Sequence, residues 1–140
     1  MTDWQYLDEY DLQVVAEYAL QGQQPLYRDP GALAAAAERP RTAVFGMVAY
    51  PTLETKAAAL LHSIVRNHPL VDGNKRLGWT ATVLFCRMNG ADFHVLDAAR
   101  AEAFVLSVAD GTLDVDEAAK FIAAHLVAIP HLPEIADLPE

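Results

Sequence analysis

Apolar residues recur at helical spacing in two central stretches of the chain. The first stretch begins after Thr52, a predicted N-cap, and keeps its apolar residues on one face throughout. Because proline lacks an amide donor and disfavours the α conformation of the residue before it, His68-Pro69 must end this helix. The second stretch runs from Asn74 to Asn89-Gly90, where glycine is typical of the position after a helix. Two buried helices are therefore expected to flank a loop at residues 68–73.

The rest of the pattern predicts shorter elements. They are a helix over about 7–20 with Asp8 or the residues before it as its cap, an alanine-rich helix over 32–38 and a hairpin over 42–50. A helix from Asp97 to about Ala109 follows, and a capping-box pattern at Asp114–Glu117 opens a last helix that runs to about Val127. The predicted buried stripe of the second central helix comprises Leu77, Ala81, Leu84, Phe85 and Met88. Residues 130–140 hold three prolines and three acids and are expected to form a frayed tail. We predict one all-α domain over residues 1–140, with one small hairpin.

Length and composition exclude several classes of protein. A chain of 140 residues with 53% hydrophobic and 21% charged residues can bury a core of its own. Such a composition is not that of a disordered chain, and a core of this size needs no disulfide or metal ion to hold it together. The single cysteine, Cys86, cannot form an internal disulfide, and no apolar run approaches the ~20 residues of a membrane span. The N-terminus lacks the basic and apolar regions of a signal peptide. We expect a cytoplasmic protein that does not enter a membrane.

The charge distribution changes this picture. The formal net charge is −9, yet residues 61–90 carry four basic side chains against the single acid Asp72. An acidic chain binds nucleic acid backbones poorly, because that affinity rises with the number of phosphates neutralised. We therefore expect no direct binding of nucleic acid, and a local site for a smaller anion.

The loop between the two central helices carries the candidate chemistry. Its sequence, HPLVDGNKR at residues 68–76, brings together an imidazole, a carboxylate, a glycine turn and two cations. The first amides of the second helix are free donors at the positive end of its dipole, Gly73 permits close approach, and Lys75 and Arg76 add charge. This combination favours phosphate. His68 can take a proton, and Asp72 can hold Mg²⁺ shared with phosphate oxygens.

The run is not a Walker A loop. Gly73-Asn74-Lys75 lacks the preceding glycine spacing, and Arg76 stands where serine or threonine would bind the metal. The run instead resembles the core motif of the Fic/Doc superfamily, His-Pro-Phe-x-(Asp/Glu)-Gly-Asn-(Gly/Lys)-Arg between two helices. The resemblance covers most of the chain and extends to residues 27–31, 50–52, 56–58, 84–90 and 111–113.

The resemblance implies a fold and a role for each motif residue. The fold would be a compact helical bundle in which residues 42–50 form a flap that docks the target segment against the site. His68 would be the general base, Asp72 the Mg²⁺ ligand and Arg76 the clamp on a nucleotide phosphate. The anion hole would be formed by Gly73, Asn74 and Lys75.

Lys75 looks like the Doc branch of the superfamily, named for the death-on-curing toxins of bacterial toxin–antitoxin modules. Typical Fic enzymes have glycine at this position and transfer AMP to a protein hydroxyl. In Doc-like members the nucleotide binds in the inverted direction, so the implied reaction is transfer of the γ-phosphate of ATP to a threonine of elongation factor Tu. A Phd-type antitoxin would restrain the toxin in trans, and the motif by which some Fic chains inhibit themselves, Ser/Thr-x-x-x-Glu-Gly/Asn, does not occur in this sequence.

Two positions depart from the wider family pattern and keep alternatives open. Leu70 replaces the usual phenylalanine, which leaves room for a catalytically idle module that only binds the antitoxin in a repressor complex. Trp79 stands where AMP-transferring members carry a second arginine, which disfavours the remaining alternative, a Fic-type AMP-transferase. Near the motif, Arg66 and Thr80 are as compatible with solvation and packing as with substrate contact, and Cys86 is expected to be a core residue.

Overall fold

The protein is described by a computed structural model over residues 3–130. Over that range it is mostly helical, as predicted, with six α-helices and two pairs of short strands. The helices are α1 (Glu9–Ala19), α2 (Pro30–Glu38), α3 (Leu53–Asn67), α4 (Asn74–Met88), α5 (Ala98–Ala109) and α6 (Val115–Ala124). A short 3-10 helix, Arg39–Arg41, follows α2 directly.

Local side-chain capping explains where most helices begin. The first-turn amides of five α-helices donate to the side chain of an aspartate or threonine, namely Asp8, Asp29, Thr52, Asp97 and Asp114. Four of these caps are predicted from the sequence and confirmed. The cap at Asp29 was not predicted. It starts α2 at Pro30, two residues before the predicted start. Proline is tolerated in this first turn, because an amide there would have no partner within the helix.

Helix α3 lies at the centre of the fold and packs against α2, α4, α5 and α6. Its buried residues run almost all round the helix, from Lys56 to Val65. The contact with α4 is close because Gly78 has no side chain. A Cβ atom there would lie 2.8 Å from Cγ1 of Val65 and 3.0 Å from Cδ1 of Leu61. This tight pairing fixes the positions at which the loop of residues 68–73 leaves α3 and enters α4.

The predicted hairpin is present. Strands β1 (Ala43–Val44) and β2 (Met47–Val48) pair antiparallel, with Ala43 opposite Val48. The turn residues Phe45 and Gly46 both have positive φ, 52° and 76°, which is the geometry of a tight two-residue turn. The hairpin exposes four large apolar side chains: Val44, Phe45, Met47 and Val48.

A second strand pair was not predicted, and it shortens the last helix. Strand β3 (Ala91–Phe93) pairs antiparallel with β4 (Leu126–Ala128). The prediction that the last helix reaches Val127 is therefore wrong, since α6 ends at Ala124. Three-residue strands carry no readable alternation, and their pairing depends on a partner far away in the chain. The first helix is also shorter than predicted, by two residues at its start and one at its end.

The predicted stripe of α4 is partly wrong. Leu77, Ala81 and Phe85 are fully buried, whereas Leu84 and Met88 remain 37% and 36% exposed. Toward the end of the helix the fully buried positions are Phe85 and Cys86, so Leu84 and Met88 lie at the edge of the buried face.

Across residues 3–130, no helix has both the length and the hydropathy needed to cross a membrane. The predicted frayed tail, residues 130–140, lies outside the described residues except for Pro130. The predicted extent of the domain, residues 1–140, stays a prediction.

Candidate functional site

The loop that joins α3 to α4 begins and ends in left-handed backbone. His68, the residue after α3, has φ 51° and ψ 64°, and Gly73, the residue before α4, has φ 93°. For a non-glycine residue this conformation costs about 1–3 kcal/mol, and it persists only where surrounding contacts hold it. The conformation turns the chain sharply at His68, whose side chain is exposed to solvent.

Two features make glycine necessary at position 73. Its φ of 93° is rarely adopted by residues with a side chain. In addition, a Cβ atom at this position would overlap the side chain of Leu20, which is buried at the end of α1. The start of α4 is thereby brought against the end of α1.

Asn74 holds the middle of the loop. Its Oδ1 accepts a hydrogen bond from the Leu70 amide at 2.8 Å, and its Nδ2 donates to the Leu70 carbonyl at 2.9 Å. Both residues are buried, and Leu70 is fully so. The side chain of Asn74, a residue that the resemblance assigns to the anion hole, is thus occupied by the main chain of Leu70. Only the backbone amide of Asn74 is left to contact an anion.

A segment before α2 holds the loop from the other side. The amides of Arg28 and Asp29 both donate to the carbonyl of Pro69, at 2.8 and 3.1 Å. The amide of Val71 donates to the carbonyl of Leu26 at 2.8 Å.

Arg28 also reaches the end of α3 with its side chain. Its Nε donates to the His68 carbonyl at 2.7 Å and its Nη2 to the Asn67 carbonyl at 2.6 Å. In the sequence, Arg28 stands out only as part of the turn at residues 27–31 that carries the family resemblance. No local signal marks the role of Arg28, because its acceptors lie 39 and 40 residues further along the chain.

The N-terminus of α4 differs from those of the other five α-helices. Gly73 offers no side-chain cap, so the first-turn amides have no side-chain acceptor within the described residues. These amides carry the positive end of the helix dipole, and the exposed side chains of Lys75 and Arg76 stand in the same turn. The arrangement suits an anionic ligand such as phosphate.

Asp72 is placed to take a cation. Its Oδ1 accepts the Gly73 amide at 2.9 Å, while its Oδ2 lies 4.0 Å from Nη2 of Arg76. Both side chains are largely exposed, 91% for Asp72 and 51% for Arg76, so this ion pair contributes little. No cluster of three metal-ligating side chains occurs among residues 3–130. A single open carboxylate beside an anion site fits Mg²⁺, which commonly shares one or two protein carboxylates with phosphate oxygens and water.

A groove of about 750 Å³ opens next to Lys75 and Arg76 and follows α4. We call it the α4 groove; its walls come from the end of α1, α4, β3 and α5, and include Gln21, Lys75, Arg76, Trp79, Phe93 and Val105. Trp79 packs against Phe93 with ring centroids 5.0 Å apart. The volume of the α4 groove lies within the range of small-molecule sites, and most of the groove's lining is apolar. His68 and Asp72 do not line the α4 groove.

The structure also locates the other candidates, Arg66, Thr80 and Cys86. Arg66 points away from the loop, because its Nη1 donates to the Ala109 carbonyl at the end of α5, at 3.0 Å. Thr80 lines the α4 groove. Cys86 is fully buried, as expected, and this burial raises the pKa of its thiol to about 12, which excludes a nucleophilic role near neutral pH.

Comparison of the sequence with known proteins identifies the family. Residues 6–86 match the model of the Fic/DOC family. The chain is also 44% identical over 128 residues to a protein described as Toxin Doc from Mycolicibacterium smegmatis (strain ATCC 700084 / mc(2)155). That alignment covers 89% of this chain and 95% of the relative. The loop, its uncapped helix and these two matches lead to one conclusion: the chain belongs to the Fic/Doc family.

Proposed function

We propose that the protein is a Doc-like toxin that transfers the γ-phosphate of ATP to a threonine hydroxyl of elongation factor Tu. The observation that carries the proposal is the start of α4, where uncapped amides and two exposed cations directly follow a loop that holds an exposed imidazole and an exposed carboxylate. Family membership and the similarity to a protein described as Toxin Doc support it.

The residues of the loop divide the reaction between them. His68 accepts the proton of the attacking hydroxyl, whose oxygen then forms a bond to the γ-phosphorus. The bond from that phosphorus to the bridging oxygen breaks, and ADP leaves with the electron pair. The amides of the first turn of α4, with Lys75 and Arg76, bind the phosphate oxygens and stabilise the charge that develops on them.

Asp72 would hold Mg²⁺, which neutralises phosphate charge and orients the phosphate groups when it is bound. The carboxylate is suited to this role because its polar partners among the described residues are the Gly73 amide and, at 4.0 Å, the Arg76 guanidinium. Both contacts leave lone pairs of the carboxylate facing solvent.

Lys75 is the feature that favours phosphate over AMP as the transferred group. A lysine at this position fills the space that glycine leaves open in AMP-transferring members of the family, and so favours presentation of the γ-phosphate. The fully buried Leu70, held at both main-chain groups by Asn74, argues against a loosened and idle loop. An antitoxin acting in trans is proposed as the restraint, with the cytoplasm as the place of action.

The reaction is tested with purified protein, elongation factor Tu, Mg²⁺ and ATP labelled on either the α- or the γ-phosphate. We expect label on elongation factor Tu from the γ-position only, and no label with His68→Ala. Label from the α-position would make the protein an AMP-transferase. No label from either position would contradict the proposed reaction and favour a module that acts by binding.

A further inference from the structure

The guanidinium of Arg28 binds two main-chain carbonyls at the C-terminal end of α3. These carbonyls belong to Asn67 and His68 and lie 2.6 and 2.7 Å from the nitrogens that donate to them. The last carbonyls of a helix lack partners within the helix and carry the negative end of its dipole. A planar guanidinium can satisfy two of them at once and brings a positive charge to the same place.

The main chain of Arg28 is held against the same loop. Its amide donates to the Pro69 carbonyl at 2.8 Å, and Tyr27 and Leu70 form an isolated antiparallel bridge beside it. The guanidinium is therefore attached to a backbone that is already in register with the loop. Because the side chain itself is exposed, this contact is accessible to small solutes.

His68 depends on such a contact. It has φ 51°, and it precedes a proline, which favours extended backbone for the residue before it. Three non-glycine residues have positive φ within residues 3–130, and His68 is the one that carries the candidate base. The backbone of a residue determines where its Cβ points, so a relaxed His68 would aim its imidazole elsewhere.

We infer that Arg28 is the positioning residue for the imidazole of His68, an assignment that rests on the proposed function of His68 as base. Arg28 keeps the carbonyl of His68 fixed and so maintains the left-handed backbone from which the imidazole reaches the attacking hydroxyl. It does so without contacting the reacting atoms.

The kinetic test compares Arg28→Ala with the natural protein, using γ-labelled ATP and elongation factor Tu. We expect kcat to fall about 10- to 100-fold, as when a catalytic group is misplaced by about 1 Å, with KM for ATP unchanged. Guanidinium ion added to Arg28→Ala should restore part of kcat, because the vacated position is open to solvent. Arg28→Lys should stay impaired, since one ammonium cannot span two acceptors. Arg100→Ala, at an exposed arginine on α5, is the matched control and should retain full activity.

A rise in KM with kcat unchanged would overturn the assignment, because it would place Arg28 in substrate binding. So would a loss of kcat that guanidinium does not restore. Full activity of Arg28→Ala would overturn it as well.

A second readout does not depend on activity. The backbone ¹³Cα and ¹³Cβ shifts of His68 report its φ and ψ and are measured in Arg28→Ala and Arg28→Lys at neutral pH. We expect them to move toward extended values while resonances of α6 stay in place. Unchanged His68 shifts would refute the positioning role, whereas absence of phosphate transfer by the natural protein would refute the proposed function alone.

Discussion

Asn74 and Leu70 form a reciprocal pair of hydrogen bonds, in which one side-chain amide satisfies both main-chain groups of a buried residue. The pair closes the loop across four residues and joins the start of α4 to the buried middle of the loop. The free amides of α4 are thus tied to the segment that leads back to His68.

Asn74→Ala should destabilise the protein. We expect the free energy of unfolding to fall by about 2–6 kcal/mol, because two buried main-chain groups of Leu70 lose their partner and each costs about 1–3 kcal/mol. Urea denaturation followed by circular dichroism measures the change. Asn67→Ala is the control, since the Asn67 side chain is exposed and makes only a 3.5 Å contact with Oγ of Ser63. Equal stability of the two variants would contradict the role given to Asn74.

Gly73→Ala should cost more than a backbone effect alone. The matched control is Gly22→Ala, which has a similar φ of 88° but has no neighbouring atom within 4 Å of the added Cβ. The control should lose about 1–2 kcal/mol from the left-handed backbone. Gly73→Ala should lose about 1–3 kcal/mol beyond that, because its Cβ overlaps Leu20. Thermal unfolding of the two variants checks the difference. Adding Leu20→Ala to Gly73→Ala removes the overlap, and this double variant should show a smaller extra loss from the alanine at position 73.

Lys75→Gly tests what selects the transferred group. If the lysine alone sets the direction of the nucleotide, the variant should attach AMP to the target protein in place of phosphate. Mass spectrometry of the target distinguishes the two adducts, and His68→Ala introduced into the same variant should abolish either one. A Lys75→Gly protein that forms no AMP adduct would refute this simple form of the idea.

Cys86 should make stability depend on pH in the alkaline range. Burial raises the pKa of its thiol from 9.0 to about 12. Below pH 9 the thiol is protonated in both states and contributes no slope. Between about pH 9 and 12 only the unfolded chain releases the proton, so the stability falls as pH rises, by up to about 1.4 kcal/mol per pH unit. Urea denaturation at several pH values measures this slope, and Cys86→Ala should remove that part of it. An identical pH profile for the two proteins would show that the thiol is not shielded.

Features that depend on neighbours in the chain were predictable from the sequence. The caps at Asp8, Thr52, Asp97 and Asp114 bond within three residues, and the central helices show their buried faces through periodicity. The reactive groups of the loop lie within nine residues, so their proximity follows from the chain itself.

Features that depend on partners far away in the chain were not predictable from the sequence. The pairing of Ala91–Phe93 with Leu126–Ala128 overrode the predicted end of α6, and the guanidinium of Arg28 meets its acceptors across 39 and 40 residues. Nothing in the local sequence distinguishes these residues from an ordinary turn or helix end.

The sequence by itself thus determined the six helices, the hairpin, the family and the set of chemical groups, because helix caps, periodicity and a contiguous motif act over a few residues. Only the tertiary structure decided how those groups are held. The left-handed backbone of His68 is unfavourable on its own, and contacts from a segment far away in the chain are needed to maintain it.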